Sequence, residues 1–169
     1  MAHNATVLER VVGCCGELVL QRRDGYYEIV ANGVFLMDTR GGGSERLHVT
    51  TAADRMPPPG RMLIGGLGVG FSLAAALAHP GVGEVHVLER EPAVLRWNRG
   101  PLAPVNGDAL RDPRVRTHEA DVVPWLAGAP APALVARMKE HFAEVDVTEA
   151  SVVRGEPDVI VLGRTPRHE

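Results

Sequence analysis

The chain has few cysteines, few aromatic residues and no long apolar run. Its two cysteines, Cys14 and Cys15, are neighbours; this excludes a disulfide framework, and the spacing does not match a zinc site. We expect both to be buried thiols in a reduced, cytoplasmic protein. No run approaches the roughly 20 apolar residues that cross a bilayer, and the polar residues 1–4 do not resemble a secretory signal. We therefore expect no membrane partner.

The chain also lacks an excess of charge of either sign. It has 18 basic and 21 acidic residues and a net charge of −3, so no uniform field attracts nucleic acid or an anionic membrane. No spacing of His, Cys, Asp and Glu residues matches a metal site. We expect neither a metal nor a nucleic-acid partner. The 169 residues, 45% of them hydrophobic, suffice for one core of ordinary size.

Residues 62–89 carry the most informative pattern. Met62–Ile64 is a short apolar run, a glycine-rich turn follows it, and the Ala/Leu-rich segment Phe71–His79 stops at a Pro-Gly pair. A second apolar run, residues 84–89, closes with an acid. This order predicts a βαβ unit. We predict an α/β protein with a reduced Rossmann-like fold.

The glycines of the turn and the acid after the second strand favour nucleoside binding. Without Cβ atoms, Gly66, Gly68 and Gly70 let the backbone turn tightly and let a ligand approach the helix N-terminus. Glu89 follows Gly70 by 19 residues, close to the roughly 20-residue spacing at which an acid accepts hydrogen bonds from ribose hydroxyls. The alternative is a Rossmann-like half with an empty crevice, because glycines also serve close packing of a helix on a strand.

A third predicted strand, residues 114–118, is followed directly by Asp121. In a doubly wound sheet, ligands bind at the carboxyl ends of the strands. The turn after Ile64, Glu89 and Asp121 are therefore expected to share one crevice. A carboxylate such as Asp121 can accept a hydrogen bond from an exocyclic amino group, for example adenine N6.

The remaining segments complete a two-part chain, with an N-terminal β-hairpin region over residues 1–43 and the Rossmann-like domain over residues 44–169. Two turn dipeptides, Asp24-Gly25 and Asn32-Gly33, predict an antiparallel sheet within residues 7–40. Its predicted strands are Gly16–Arg22, Tyr26–Ala31 and Val34–Asp38. The predicted helices are Ser44–Arg55 with Ser44 as N-cap, Pro92–Arg99, a helical turn over 122–126 and residues 133–142; the last predicted strands are 145–153 and 158–162.

Several motifs together resemble one known family. They are residues 65–71, 79–80, 87–92, 97–100, 112–115 and 120–121. In this order they are similar to the spermidine-synthase-like branch of the S-adenosylmethionine-dependent methyltransferase fold. The likeness covers most of the chain, since residues 7–40 resemble the family's N-terminal β-domain and residues 155–162 its closing strand.

The resemblance implies a site for S-adenosylmethionine or a related adenosine nucleoside. The glycines would line the methionine side of the ligand, Glu89 would bind the ribose and Asp121 the adenine. Glu45 aligns with an acidic residue of the family, and the resemblance implies that it faces the same crevice. The cofactor-binding residues implied are Gly65, Gly66, Gly68, Gly70, Glu89, Arg90, Asp121 and Val122.

The chain departs from the family's pattern in ways that bear on activity. The fourth and fifth central strands and the catalytic Asp have no counterpart, and Leu36 stands where the family has a polyamine-binding glutamine. We therefore do not expect aminopropyl transfer to putrescine. Methyl transfer to a small molecule needs no such acid, because the sulfonium is already activated and placing the acceptor supplies much of the catalysis. One alternative is a dimer that transfers nothing and instead binds a ligand or stabilises a partner. Another is a cyclase or isomerase that uses the family's nucleoside pocket for a different reaction.

Candidate catalytic residues are Glu45, His48 and His118, the last at a strand end beside the proposed adenine site. Both histidines also have a structural interpretation. Tyr27 and Trp125 can line a substrate pocket or pack in the core. Loss of central strands would leave the edge of the first strand open; either the last two strands cover it or a second copy of the chain does. We predict a homodimer.

Overall fold

The computed structural model describes residues 5–122 in full and the backbone of residues 142–150 and 158–166. The strands in these ranges are β1 (Thr6–Gly13), β2 (Gly16–Arg23), β3 (Tyr26–Ala31), β4 (Val34–Asp38), β5 (Gly60–Gly65), β6 (Val82–Glu89), β7 (Val115–Glu119), β8 (Phe142–Ala150) and β9 (Asp158–Pro166). The helices are α1 (Gly43–Ala53), α2 (Phe71–Ala78), α3 (Pro92–Arg99) and α4 (Ala103–Asn106), with a 3-10 turn at Ala109–Arg111. None of these helices has the length and apolar composition needed to span a bilayer.

The N-terminal strands form an antiparallel sheet in the order β1-β2-β3-β4. Asp24 and Asn32 each adopt a φ of 50° and are followed by glycine, which gives the tight turns predicted from the two dipeptides. The prediction missed β1. This strand joins β2 through the Cys14-Cys15 turn, which closes with Gly16 at a φ of 115° and lacks the Asn-Gly or Asp-Gly signal.

The predicted βαβ unit is confirmed. β5, β6 and β7 form a parallel sheet in that order, with α2 between β5 and β6 and with α3 and α4 between β6 and β7. The sheet strands begin one or two residues away from their predicted starts. Both helices after the strands begin where predicted, at Phe71 and Pro92.

The prediction that Ser44 caps α1 is wrong. Gly42 holds the cap position with a φ of 93°, the helix begins at Gly43, and it ends at Ala53 rather than Arg55. The Ser44 hydroxyl donates to the Glu45 carboxylate at 2.9 Å instead. A left-handed residue is needed before the helix, and glycine adopts that conformation without steric cost.

The two last strands form a separate antiparallel pair, β8 with β9. They do not cover β5, whose outer edge is unpaired within the described strands; the homodimer stays a prediction. Residue 142, predicted to end a helix, begins β8, and β9 continues to Pro166 rather than stopping at residue 162. Residues 123–126, 133–141 and 151–153 of the predicted elements, with Trp125 among them, lie outside the described residues.

The N-terminal sheet contacts α3 through a buried tryptophan. Trp97 is 1% exposed, and its indole N–H donates to the Glu9 carboxylate at 2.7 Å. Arg96 donates to the same carboxylate, and these hydrogen bonds lower the pKa of Glu9. One hydrophobic core includes residues of both sheets and of helices α1 to α3.

The two faces of the parallel sheet differ in polarity. Met62, Ile64, Val85 and Val87 are buried and belong to the core with residues of α2 and α3. The opposite face is polar and partly exposed, with Leu63 at 40% exposure. Its side chains, assigned from the strand register and the alternation of residues, are Arg61, Leu63, Glu84, His86, Leu88, Arg116 and His118. Leu88, at the pocket end of β6, is the buried one among them.

Replacing Arg114 by methionine is expected to lower the free energy of unfolding by roughly 1–2 kcal/mol. Its guanidinium donates to the carbonyls of Val82 and Leu77 at 3.1 and 2.9 Å and to Asp112 at 2.8 Å. It therefore connects the loop before β7 with β6 and the end of α2. Urea unfolding measures the change, and Arg111→Met, at an exposed surface ion pair, is the control with little expected effect.

The same ion pair predicts a pH dependence. The hydrogen bonds from Arg114 lower the pKa of Asp112 in the folded protein. The pair therefore stabilises the fold above the ordinary carboxyl pKa, and this contribution is lost as the pH falls through the lowered value. The difference in unfolding free energy between wild type and Arg114→Met should shrink on acidification. A difference that grows at low pH would contradict this role.

Candidate functional site

A pocket of about 270 Å³ lies at the carboxyl ends of β5, β6 and β7. Doubly wound sheets bind their ligands at this end of the strands. Six of the eight residues predicted to bind a cofactor line the pocket, whereas Gly68 and Gly70 do not. The lining residues are Gly65, Gly66, Leu88, Glu89, Arg90, Ala120, Asp121 and Val122.

Glu89 is 7% exposed and holds two loops together. Its Oε2 accepts a hydrogen bond from the Leu67 N–H at 2.8 Å, and its Oε1 accepts one from the Glu91 N–H at 2.9 Å. The carboxylate thus fixes the glycine-rich turn against the start of α3. Each carboxylate oxygen has a second lone pair, so Glu89 can also accept hydrogen bonds from ligand hydroxyls.

Asp121 lines the same pocket as Glu89 and pairs with Arg90. The Arg90 Nη1 donates to its Oδ2 at 3.2 Å, and this hydrogen bond raises the pKa of Arg90. The Asp121 side chain is 34% exposed. The ion pair orients Asp121, and the exposed part of its side chain is open to a ligand amino group.

The four glycines of the turn have different surroundings. Gly66 has a φ of 88°, and no atom lies within 4 Å of the place where a Cβ would be. A Cβ on Gly65 would meet the Val122 side chain at 2.9 Å. The backbone at Gly66 is therefore accessible from the pocket, whereas Gly65 packs against the Val122 side chain.

Gly68 and Gly70 are not among the described residues that line the pocket, and protein side chains lie close to both. A Cβ on Gly68 would lie 2.4 Å from the sulfur of Met37, and one on Gly70 would lie 2.6 Å from the side-chain nitrogen of Asn106. That these two glycines contact a ligand stays a prediction. Their lack of a side chain admits neighbouring side chains of this chain.

Two buried asparagines hold the glycine-rich turn, and the sequence interpretation missed both. Asn98 is fully buried; its Nδ2 donates to the Gly68 carbonyl at 2.8 Å and to the Val94 carbonyl at 2.9 Å. Asn106 donates to the Asn98 Oδ1 at 2.7 Å. Asn98 lies three and four residues after Leu95 and Val94, on the apolar face of α3. A polar residue at such a position was the sequence signal that could have identified it.

The Cys14-Cys15 turn rests on the loop after β6. The Cys14 N–H donates to the buried Glu91 carboxylate at 2.9 Å, and its thiol donates to the Arg90 carbonyl at 3.2 Å. Both cysteines are exposed, so the expectation of buried thiols is wrong. Local desolvation and the nearby Glu91 carboxylate raise the pKa of the Cys14 thiol, which disfavours the reactive thiolate.

None of the candidate catalytic residues lines the pocket. Glu45 and His48 are half-buried on α1. His118 is hydrogen-bonded to His86, with 2.9 Å between the ring nitrogens. The centroids are 5.2 Å apart and the planes differ by 8°, a spacing that fits two coplanar rings joined edge to edge by an N–H···N bond. Tyr27, a substrate candidate, lies under the Arg22 guanidinium at 5.8 Å, outside the pocket.

A second hollow, of about 560 Å³, lies between α2 and the loop before β7. It is larger than the first but lies away from the carboxyl ends of the strands. Asp112 and Arg114, which line it, are paired with each other. Within residues 5–122, no group of three or more His, Cys, Asp or Glu side chains is arranged to hold a metal ion.

Comparison with solved structures identifies the architecture. A spermidine synthase in complex with the transition-state analogue AdoDATO superposes with a TM-score of 0.63 at 18% sequence identity, over 72% of this chain and 42% of that one. The chain has the fold of the spermidine synthases. The spermidine synthase from Thermotoga maritima gives a TM-score of 0.61, also at 18% identity, over 72% of this chain and 43% of that one. The predicted Rossmann-like methyltransferase fold is therefore confirmed.

Curated proteins with related sequences point to the same fold group. The chain is 39% identical over 74 residues to polyamine aminopropyltransferase 1 of Streptomyces coelicolor. It is 35% identical over 71 residues to the polyamine aminopropyltransferase of Mycobacterium tuberculosis. These matches cover 43% and 42% of this chain but 14% of each relative. No family model matches the chain. It shares the spermidine-synthase fold in a reduced form.

Proposed function

We propose that this chain binds S-adenosylmethionine or a related adenosine nucleoside in the pocket at the strand ends. The observation that carries the proposal is the convergence of Glu89, Asp121 and the open backbone of Gly66 on one pocket. Glu89 ends β6 and Asp121 follows the neighbouring strand β7, so the two acids can recognise neighbouring parts of one ligand. The similar structure that holds AdoDATO supports an adenosine-type ligand.

The roles follow from the hydrogen-bonding capacity of each group. The Leu67 and Glu91 amides each use one lone pair of the Glu89 carboxylate. Its remaining lone pairs accept hydrogen bonds from the ribose hydroxyls. Asp121 accepts from the adenine amino group while Arg90 holds the carboxylate in place. The backbone at Gly66 approaches the ligand closely because no side chain intervenes.

The reaction proposed is transfer of a methyl group to a small molecule. Bound S-adenosylmethionine would supply an activated methyl group on its sulfonium. The chain would contribute binding and orientation, since placing the acceptor in line with the methyl group accounts for much of the rate. The charged residues that line the pocket are Glu89, Arg90 and Asp121, and each of them already has a partner that orients it.

A function without transfer is the second candidate. No histidine is among the described residues that line the pocket, and those residues offer no side chain with an ordinary pKa near neutral for acid–base chemistry. In addition, Leu36, which stands in place of the family's glutamine, is 56% exposed and offers no hydrogen bond to an amine. These features favour a nucleoside-binding protein, or a cyclase or isomerase with a shaped cavity, over an aminopropyltransferase.

Titration calorimetry with S-adenosylmethionine, S-adenosylhomocysteine, methylthioadenosine and adenosine tests the proposal. We expect binding of at least one of them with one site per chain. If none binds, the proposed function is wrong. Where binding occurs, mass spectrometry of small amines and phenols incubated with the protein and S-adenosylmethionine distinguishes the two candidates. A product 14 Da heavier supports transfer, and unchanged acceptors support binding alone.

A further inference from the structure

The glycine-rich turn is covered by a side chain from the N-terminal sheet. Met37 lies on β4 and is half-buried. Its sulfur and Cε occupy the space above Gly68, at 2.4 and 2.8 Å from the place where a Cβ would be. Gly68 has a φ of 54°. The absence of a side chain at Gly68 therefore makes room for Met37, in contrast to the open space at Gly66.

Met37 covers Gly68 beside the pocket, on the side toward which the 5′ end of a nucleoside would point, although neither residue is among the described residues that line the pocket. The strand order is β7-β6-β5, with Asp121 after β7, Glu89 after β6 and the glycine-rich turn after β5. A nucleoside with its adenine at Asp121 and its ribose at Glu89 directs its 5′ carbon toward the turn. Glu89 is hydrogen-bonded to the Leu67 amide, and Gly68, under Met37, is the next residue.

We infer that Met37 is a specificity-determining residue that selects ligands by the size and charge of their 5′ substituent. The inference rests on the proposed function. Adenosine and methylthioadenosine, with a hydroxyl or a short thioether at the 5′ position, fit beside Met37. A long amino-acid tail requires that Met37 leave Gly68, and its charges would otherwise be desolvated against an apolar thioether.

Methionine suits this role because its unbranched side chain has three rotatable bonds and adapts to its neighbours. Met37 is half-buried on β4, an edge strand that pairs only with β3 among the described strands, so its side chain can change rotamer toward solvent. The pocket of about 270 Å³ is also slightly smaller than the ~300–1,000 Å³ of typical ligand sites. Both features fit a nucleoside with a short 5′ group.

Calorimetry on the wild type and on Met37→Ala tests the inference. In the wild type, adenosine and methylthioadenosine should bind more tightly than S-adenosylhomocysteine. Met37→Ala should improve the binding of S-adenosylhomocysteine about tenfold relative to adenosine, an effect of about 1.4 kcal/mol. Met37→Leu, which keeps an apolar side chain, should retain the wild-type order. Val34→Ala, an exposed position on the same strand, is the control and should leave every affinity unchanged.

The outcomes separate this inference from the proposed function. If adenosine binds but S-adenosylhomocysteine binds equally well to the wild type, Met37 does not select ligands. An unchanged ratio in Met37→Ala has the same meaning. If no nucleoside binds, the proposed function fails, and the role of Met37 fails with it. The wild-type order of affinities decides the matter even where a substitution impairs folding.

Discussion

Replacing Asn98 by alanine is expected to lower the free energy of unfolding by roughly 3–4 kcal/mol. Asn98 is fully buried, and its amide is the donor for the Gly68 and Val94 carbonyls and the acceptor for Asn106. Without it, these buried groups lose a hydrogen-bond partner, at about 1–3 kcal/mol for each group left unsatisfied. Chemical denaturation monitored by tryptophan fluorescence measures the change.

The neighbouring residue provides the control for Asn98. Arg99 lies on the same helix but is exposed, and Arg99→Ala should change the unfolding free energy by less than about 0.5 kcal/mol. Asn98→Ala should also weaken nucleoside binding, because the Gly68 carbonyl that it holds belongs to the turn beside the pocket. A variant that unfolds at the wild-type denaturant concentration would show that the asparagine network does not stabilise the turn.

Replacing Glu89 by alanine is expected to weaken the binding of adenosine nucleosides by about 1–3 kcal/mol, or roughly 5- to 150-fold. The change removes the acceptor for the ribose hydroxyls and the acceptor for two backbone amides, those of Leu67 and Glu91. Glu89→Gln should have a similar effect, because its NH₂ group presents a donor where a second acceptor is needed. Titration calorimetry at a temperature well below the unfolding midpoint measures both variants.

Glu84 is the matched control for Glu89. It lies on the same strand, but its carboxylate is 3.3 Å from the His86 ring on the polar face, outside the pocket. Glu84→Ala should bind nucleosides with wild-type affinity. If a folded Glu89→Ala does so as well, Glu89 does not bind the ribose, and its burial serves only the loops.

The sequence was sufficient to predict the elements that depend on residues close together in the chain. The Asp24-Gly25 and Asn32-Gly33 turns fixed the hairpins, and the spacing from the glycines to Glu89 predicted an acid at the pocket. The same reasoning missed β1, because the Cys14-Cys15 turn carries no standard turn signal, and it placed a cap at Ser44 although a left-handed glycine precedes the helix.

The rest of the site depends on contacts between residues far apart in the chain. Met37 meets Gly68 across 31 positions, and Cys14 meets Glu91 across 77. No periodicity or spacing encodes such pairs, since they arise only when the N-terminal sheet packs on the Rossmann-like part. A glycine pattern therefore indicates where side chains are absent, but it does not say whether a ligand or a neighbouring side chain fills the space.

The polar face of the parallel sheet has a consequence for how this fold can vary. Parallel sheets are ordinarily covered by helices on both sides, and their strands are then apolar throughout. Here β6 alternates, with Glu84 and His86 on one side and Val85 and Val87 on the other. Apart from Leu88, which is buried at the pocket end of the strand, this side of β6 presents polar side chains. We therefore expect that a change in the length of the segments after β7 exposes little apolar surface on β6 beyond Leu88.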